Sequence, residues 1–392
     1  MSVRAQLAEA LTSARQFTDR ISRGVPDSIA ARQFDPLFSP IAWHFGHIVW
    51  QEELWILRRA AHQPPIDTAL DAVFDSFVSP KDERSSSAPP LSALSDYAAR
   101  VRERTLEFLA VAELDSRDEL LKGGYVFRFI ANHERQHAEL IGIARLLAGA
   151  HCERDADLPL TSARSVGQRK YIRISGGTFE VGTDTDPDAW DNESPRQTIE
   201  IDDFALGRAP VTCAEWLEFM AAGGYEDGRL WSESGNDFRV RAALSAPLYW
   251  ERDRDGAYHT RSLAGPRLVE PDRAVSHVSW YEAEAFARFA GARLPSEVEW
   301  ERAAQLLAQR TTLELEQLVG SVWQWTSSVF LPYPGFRPQP YRAYSEPWFD
   351  GRHRVARGGS FLTQPPIARP TFRNWYLPEI RQVPLGLRLA RA

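Results

Sequence analysis

At 392 residues the chain is long for one core and favours about two domains, with 43% hydrophobic and 25% charged residues, ordinary for a globular protein. A balance of 46 basic against 53 acidic side chains gives a net charge of −7 without a basic block, which argues against nucleic acid or an anionic membrane as the main partner. Only Cys152 and Cys213 are present, excluding a disulfide framework, and no apolar run approaches the ~18 residues of a bilayer span.

Met1 to Gln6 opens an amphipathic pattern without an apolar leader segment, so a cytoplasmic location is expected. Helical periodicity predicts a first helix over about Val3 to Ile21, with Leu7, Ala10, Leu11, Ala14 and Phe17 on one face. A second begins after Ser39-Pro40 and runs through Trp43, His47, Trp50 and Leu54 to about Ala60. A polar stretch from Ser79 to Pro90 precedes a third helix, about Leu91 to Val111, and a fourth follows Asp115-Ser116 and ends near Ala150. Val126, Ile130, His133, His137, Leu140 and Ala144 share one face of the fourth, which turns both histidines into a four-helix bundle.

His133-Glu134-Arg135-Gln136-His137 places two imidazoles one helical turn apart, close enough for one metal ion. A third imidazole lies upstream, where His44 and His47 stand in Trp43-His44-Phe45-Gly46-His47. Three neutral nitrogens with coordination positions left open describe a catalytic rather than a structural metal site. His133-Glu134-x-x-His137 also fits the zinc-protease pattern with Glu134 as base, although nothing downstream supplies that class with its third ligand. The bland alternative is a set of buried histidines satisfied by hydrogen bonds.

After Cys152 the character changes. Residues 153–170 are polar and aperiodic and read as a linker; from Tyr171 strands are short, turns frequent, and Gly, Pro and Trp rise. Helical pieces are expected at Cys213 to Ala222, Trp280 to Ala290 and around Glu297 to Leu307. The 13 Trp and 11 Tyr could simply fill a loop-rich core or could line a pocket for a cationic ligand.

Within this half, Gly176-Gly177-Thr178-Phe179, Pro210-Val211-Thr212, Val278-Ser279-Trp280, Arg293-Leu294-Pro295-Ser296-Glu297-Val298-Glu299-Trp300, Gly320-Ser321-Val322-Trp323-Gln324-Trp325 and Arg357-Gly358-Gly359-Ser360-Phe361 occur in order. Together they resemble the C-type-lectin-like fold of the formylglycine-generating enzymes. The helical half resembles a DinB-like bundle. The pairing resembles the non-heme iron sulfoxide synthases of ergothioneine biosynthesis. The implied architecture is a DinB-like four-helix bundle over 1–152, a linker over 153–170 and a formylglycine-generating-enzyme-like α+β domain over 171–392.

The resemblance implies Fe(II) as cofactor, with hercynine, O2 and a thiol or selenosugar donor as reactants. It puts the iron ligands on His47, His133 and His137, and the hercynine contacts on Gln136, Tyr344, Asn374 and Trp375, with Tyr376 as a further substrate-binding residue. Tyr341 matches the phenol that supplies a proton. One departure stands out. Relatives that use γ-glutamylcysteine carry an aspartate after the Asn-Trp pair, where this chain has Tyr376, and only Lys81 and Arg84 lie near where donor-binding arginines are expected. A site for an anionic peptide thiol needs charge partners. Their loss makes the chain most like the selenoneine synthase branch, with a selenosugar donor. An ergothioneine-type enzyme using cysteine or γ-glutamylcysteine is the alternative, and a noncatalytic DinB/lectin-like binding protein or thiol transferase is the alternative of another class.

Overall fold

The computed structural model describes residues 1–150, 169–309 and 313–392. Cys152 and nearly all of the expected 153–170 linker lie outside the described residues. The chain divides into two compact units, the first holding residues 1–150 and the second nearly all of the described residues from Arg169 onward.

The first unit is helical: α1 (Val3–Ser22), α2 (Asp27–Ala30), α3 (Ile41–Glu52), α4 (Ala69–Phe74), α5 (Arg84–Ser87), α6 (Leu91–Val111) and α7 (Tyr125–Ala148). The four long helices are the four expected from periodicity. α1 starts where the Ser2 hydroxyl accepts the Ala5 amide and buries Leu7, Leu11, Ala14, Thr18 and Ile21 along one stripe. All 12 residues of α3 are buried, so it is the central helix of this unit, and wider π-type turns carry it on over Glu53–Ala60.

Two differences from the sequence reading have physical causes. The fourth helix begins at Tyr125 rather than just after Ser116, because Gly123 (φ 63°) and Gly124 (φ 78°) take left-handed conformations that end any continuous helix there. The short helices α2, α4 and α5 fill connections in which no element was expected, since four to six residues are too few for a periodic signal.

One charged residue from each long helix meets in the unit's interior. Arg15 of α1 donates to Glu52 of α3 at 3.0 Å and to Glu134 of α7 at 2.6 Å. Arg102 of α6 donates to the same two carboxylates at 2.7 and 3.0 Å. Both glutamates are fully buried, so the network survives only because every carboxylate oxygen has a cationic partner.

The second unit is α+β, with β1 (Tyr171–Ile174), β2 (Gly177–Val181), β3 (Gln197–Ile201), β4 (Phe204–Gly207), β5 (Glu251–Arg252), β6 (Tyr258–Thr260), β7 (Arg267–Leu268), β8 (Trp323–Val329), β9 (Arg354–Arg357), β10 (Asn374–Tyr376), β11 (Leu385–Leu387) and β12 (Ala390–Arg391). They form small sheets: β1-β4-β12, β10-β9-β8-β11, β2-β3 and β5-β6-β7. α8 (Cys213–Ala221), α10 (Trp280–Phe289) and α11 (Glu297–Ala308) match the expected helices, and α9 (Glu233–Arg241) was not expected. Each expected helix opens on a capping box, Thr212 with Glu215, Ser279 with Glu282 and Ser296 with Glu299, which gives the recurring Ser/Thr-x-x-Glu motifs a structural reason. Trp216, Trp300, Trp323 and Trp325 are wholly buried, so these tryptophans fill the core. Cys213 is buried too, and desolvation pushes its thiol up to about 12, which fits a packing role.

Candidate metal centre

Three imidazoles converge inside the helical unit. His47 comes from α3, His133 and His137 from consecutive turns of α7, and one ring nitrogen of each lies within 4.8 Å of the other two. Ring centroids stand 4.4 Å apart for His133 and His137, 4.8 Å for His47 and His137, and 5.3 Å for His47 and His133. Among the described residues no carboxylate or thiol joins the cluster.

The rings are neutral. Burial pushes His133 and His137 well below the ordinary imidazole value, and burial, with the Arg84 charge as a smaller contribution, lowers His47 to about 4. His47 Nδ1 lies 2.7 Å from the carbonyl of Phe74, an oxygen that can only accept, so Nδ1 carries the proton and Nε2 is left as a ligand atom. The donor set therefore fits a divalent transition metal. Because it brings no negative charge, the ion's charge would be offset only by an anionic co-ligand.

Local sequence explains the His47 geometry. Trp43, His47 and Trp50 form one face of α3, and α4 lies against it: Trp43 Nε1 donates to the Val73 carbonyl at 2.8 Å, His47 to Phe74, and Trp50 Nε1 to Asp71 at 2.7 Å. Gly46 permits this approach, since a Cβ there would sit 2.1 Å from the Phe74 ring. Trp43 also stacks on the His47 ring at 4.6 Å and 14°. The sequence reading missed the α4 contribution, because a backbone carbonyl leaves no motif.

Glu134 does not serve this centre. One residue along a helix turns about 100°, and Glu134 spends its oxygens on Arg15 and Arg102. That removes the base the zinc-protease pattern requires. His44 bonds to His137 rather than joining the three-nitrogen set. Gln136, between the two α7 histidines, is half-buried.

The remaining expected residues cluster in the second unit. Tyr344 stacks on Trp190 at 3.7 Å and meets Trp375 edge-on at 5.4 Å, and Trp375 stacks on Phe330 at 4.3 Å. Asn374 Nδ2 donates to the Tyr376 hydroxyl at 2.8 Å, while Asn374 Oδ1 accepts the Trp375 amide. Tyr341 stands three residues before Tyr344, half-buried at the start of a short 3-10 turn. Trp190 and the Asp191–Ser345 contact at 2.5 Å, which ties down the next residue, were not foreseen. Arg373, beside Asn374, is committed to Glu297 through two bonds of 2.8 and 2.9 Å and is structural.

Buried neutral histidines make stability depend on pH. Unfolded, each binds a proton below about pH 6.5, while the folded protein resists doing so, so stability is fully present above that value and falls as pH drops. The metal-free protein is expected to lose about 1.4 kcal/mol per pH unit for each histidine that stays neutral, over the interval below about pH 6.5. Thermal unfolding of the metal-free protein across that interval checks this; a flat profile contradicts the burial of neutral rings.

A cluster of three histidines able to hold a metal ion lies in a helical bundle, and an aromatic-rich α+β domain follows it in the chain. The DinB superfamily model matches residues 10–141, and the sulfatase-modifying factor enzyme 1-like domain matches 157–313 and 307–392. The hercynine oxygenase of Mycolicibacterium smegmatis is 36% identical, with 100% of this chain and 99% of the relative covered. That of Mycobacterium tuberculosis is also 36% identical, over 98% of each chain. A formylglycine-generating enzyme of Thermomonospora curvata is 34% identical over 38% of this chain and 53% of its own length. The chain belongs to the ergothioneine-type sulfoxide synthase family, that of the hercynine oxygenases, and is an oxidoreductase. No helix among the described residues is long and apolar enough to cross a membrane.

Proposed function

We propose that the protein forms a carbon–chalcogen bond at C2 of the hercynine imidazole, using Fe(II) and O2, with a selenosugar as donor. The observation that carries this reading is the cluster of three neutral imidazoles in a chain of the hercynine oxygenase family. The balance is one donor Se–H and one ring C–H consumed, with O2 accepting four electrons; one oxygen ends on selenium and the other in water.

Iron held by His47, His133 and His137 would supply O2 activation and bind the donor as its anion. This chain's residues then position and protonate. Gln136, Tyr344, Asn374 and Trp375 hold hercynine, aromatic faces suiting its quaternary ammonium and fixed geometry contributing to rate. Tyr341 delivers a proton that directs oxidation toward bond formation. Tyr376 keeps Asn374 in place through the bond between them.

The donor preference is supported by where the nearby cations are spent. Arg84 is buried, donates to Ser39, Ser76 and Ser79 and stacks on Trp43 at 3.7 Å, and burial lowers it to about 10. Lys81 donates to the Leu37 carbonyl at 3.0 Å. A peptide-like donor with two carboxylates would need such groups for itself. The second reading, an ergothioneine-type enzyme using cysteine or γ-glutamylcysteine, is favoured by the chain's place in the hercynine oxygenase family.

The test is anaerobic purification, metal analysis, iron reconstitution and O2 uptake with hercynine plus a selenosugar, cysteine or γ-glutamylcysteine. Iron-dependent uptake with a C–Se product supports the proposal. Turnover with thiols alone reassigns the donor, and an iron-independent protein without uptake supports the noncatalytic reading. In Tyr341→Phe, the ratio of coupled product to oxidised donor is expected to fall at least about tenfold, since a positioned proton donor is worth about a hundredfold or more. An unchanged ratio removes Tyr341 from that role.

A further inference from the structure

We infer that His44 is a positioning residue for the metal centre: its Nδ1 accepts the proton of His137 Nδ1 and so holds His137 with Nε2 as the ligand atom. This rests on the proposal that His137 binds the metal. The two Nδ1 atoms are 3.1 Å apart, with rings 5.2 Å between centroids and inclined at 61°. A single proton lies between them, and it can belong to either ring. If His44 held it, neutral His137 would carry its own proton on Nε2 and could not ligate through that atom. If His137 holds it, Nε2 is released for the metal, and neutral His44 must carry a proton on its own Nε2.

A second observation concerns how the ring is held. His44 Nε2 is buried and has no hydrogen-bond partner among the described residues. A histidine kept for packing alone gains nothing from an orphaned ring nitrogen. With Nε2 unpartnered, the ring's polar contact among the described residues is the one its Nδ1 makes to His137 Nδ1. His47 solves the same orientation problem with the Phe74 carbonyl. His137 lies one helical turn beyond His133, its ring centroid 4.8 Å from that of His47, and the side chain one turn before His47 supplies the acceptor. An imidazole acceptor, unlike the more common carboxylate partner, adds no charge behind the ligand. The centre stays cationic when loaded, and an anionic co-ligand is correspondingly favoured.

Metal binding tests this apart from turnover. His44→Phe keeps an aromatic ring but offers no acceptor; His44→Asn restores one through Oδ1. Co(II) titration followed by visible absorption is expected to show affinity lowered about 10- to 100-fold in His44→Phe, the usual cost of losing an outer-shell partner, and largely recovered in His44→Asn. In the Zn(II)-loaded wild type, long-range 1H–15N spectra should show His44 protonated on Nε2 and His137 on Nδ1. Affinity within about twofold of wild type in His44→Phe, or a proton on His44 Nδ1 in the loaded protein, overturns the assignment while leaving the three-histidine centre standing. Wild-type protein that binds neither ion overturns both. Should His44→Phe fail to fold, the wild-type tautomers still decide.

Discussion

Replacing His133 with alanine is expected to lower divalent-metal affinity by more than about a hundredfold, beyond the cost of losing an outer-shell partner, and to bring hercynine-dependent O2 uptake to background. His133 is 5% exposed, so neither bulk water nor a surface side chain is poised to replace its nitrogen. His47 and His137 would remain, 4.8 Å apart between ring centroids, but two neutral nitrogens form a weaker site than three. The fold should persist, because the α7 contacts that tie the bundle together run through Glu134 and the apolar stripe. Metal titration alongside thermal unfolding measures both. Stoichiometric iron retained in His133→Ala would reduce the cluster to packed histidines and leave the oxygenase chemistry without its centre.

The parts of this architecture legible in sequence were those written in side chains at regular spacing. Periodicity placed α1, α3 and α6 closely, because long helices with one buried stripe leave a repeating signal. The i, i+4 pair His133 and His137 was visible for the same reason, and the upstream imidazole was visible as a choice between His44 and His47. What decided the choice was invisible: Phe74 contributes a carbonyl, and a carbonyl has no letter in the sequence. Gly46 carried a faint trace, a glycine in mid-helix that only a close approach from outside explains. In the second unit, the family motifs pointed to Tyr344 and Trp375, whose rings meet edge-on. The stacking of Trp190 on Tyr344 joins positions more than 150 residues apart and has no local pattern. Gly123 and Gly124 could have been read as a stop before Tyr125, and would have corrected the start of α7.

Glu134→Ala is expected to destabilise the helical unit by about 3–5 kcal/mol, the usual cost of breaking a buried ion pair by removing one partner. The substitution leaves Arg15 and Arg102, the cations of α1 and α6, to share Glu52 alone, and removes the only α7 member of the network. For a domain of this size the melting temperature should fall on the order of 10 °C. Metal content and turnover per folded molecule should stay within a few-fold of wild type, since Glu134 touches neither ligand nitrogens nor reactants in the proposed roles. A protease-type base predicts the reverse, activity lost with stability kept, so one pair of measurements separates the two uses of the same His-Glu-x-x-His letters. The double replacement Arg15→Met with Glu134→Leu is a further check. It removes an ion pair as a unit, leaves Arg102 on Glu52, and should recover much of the lost stability, because apolar residues of similar volume replace buried pairs at little or no cost.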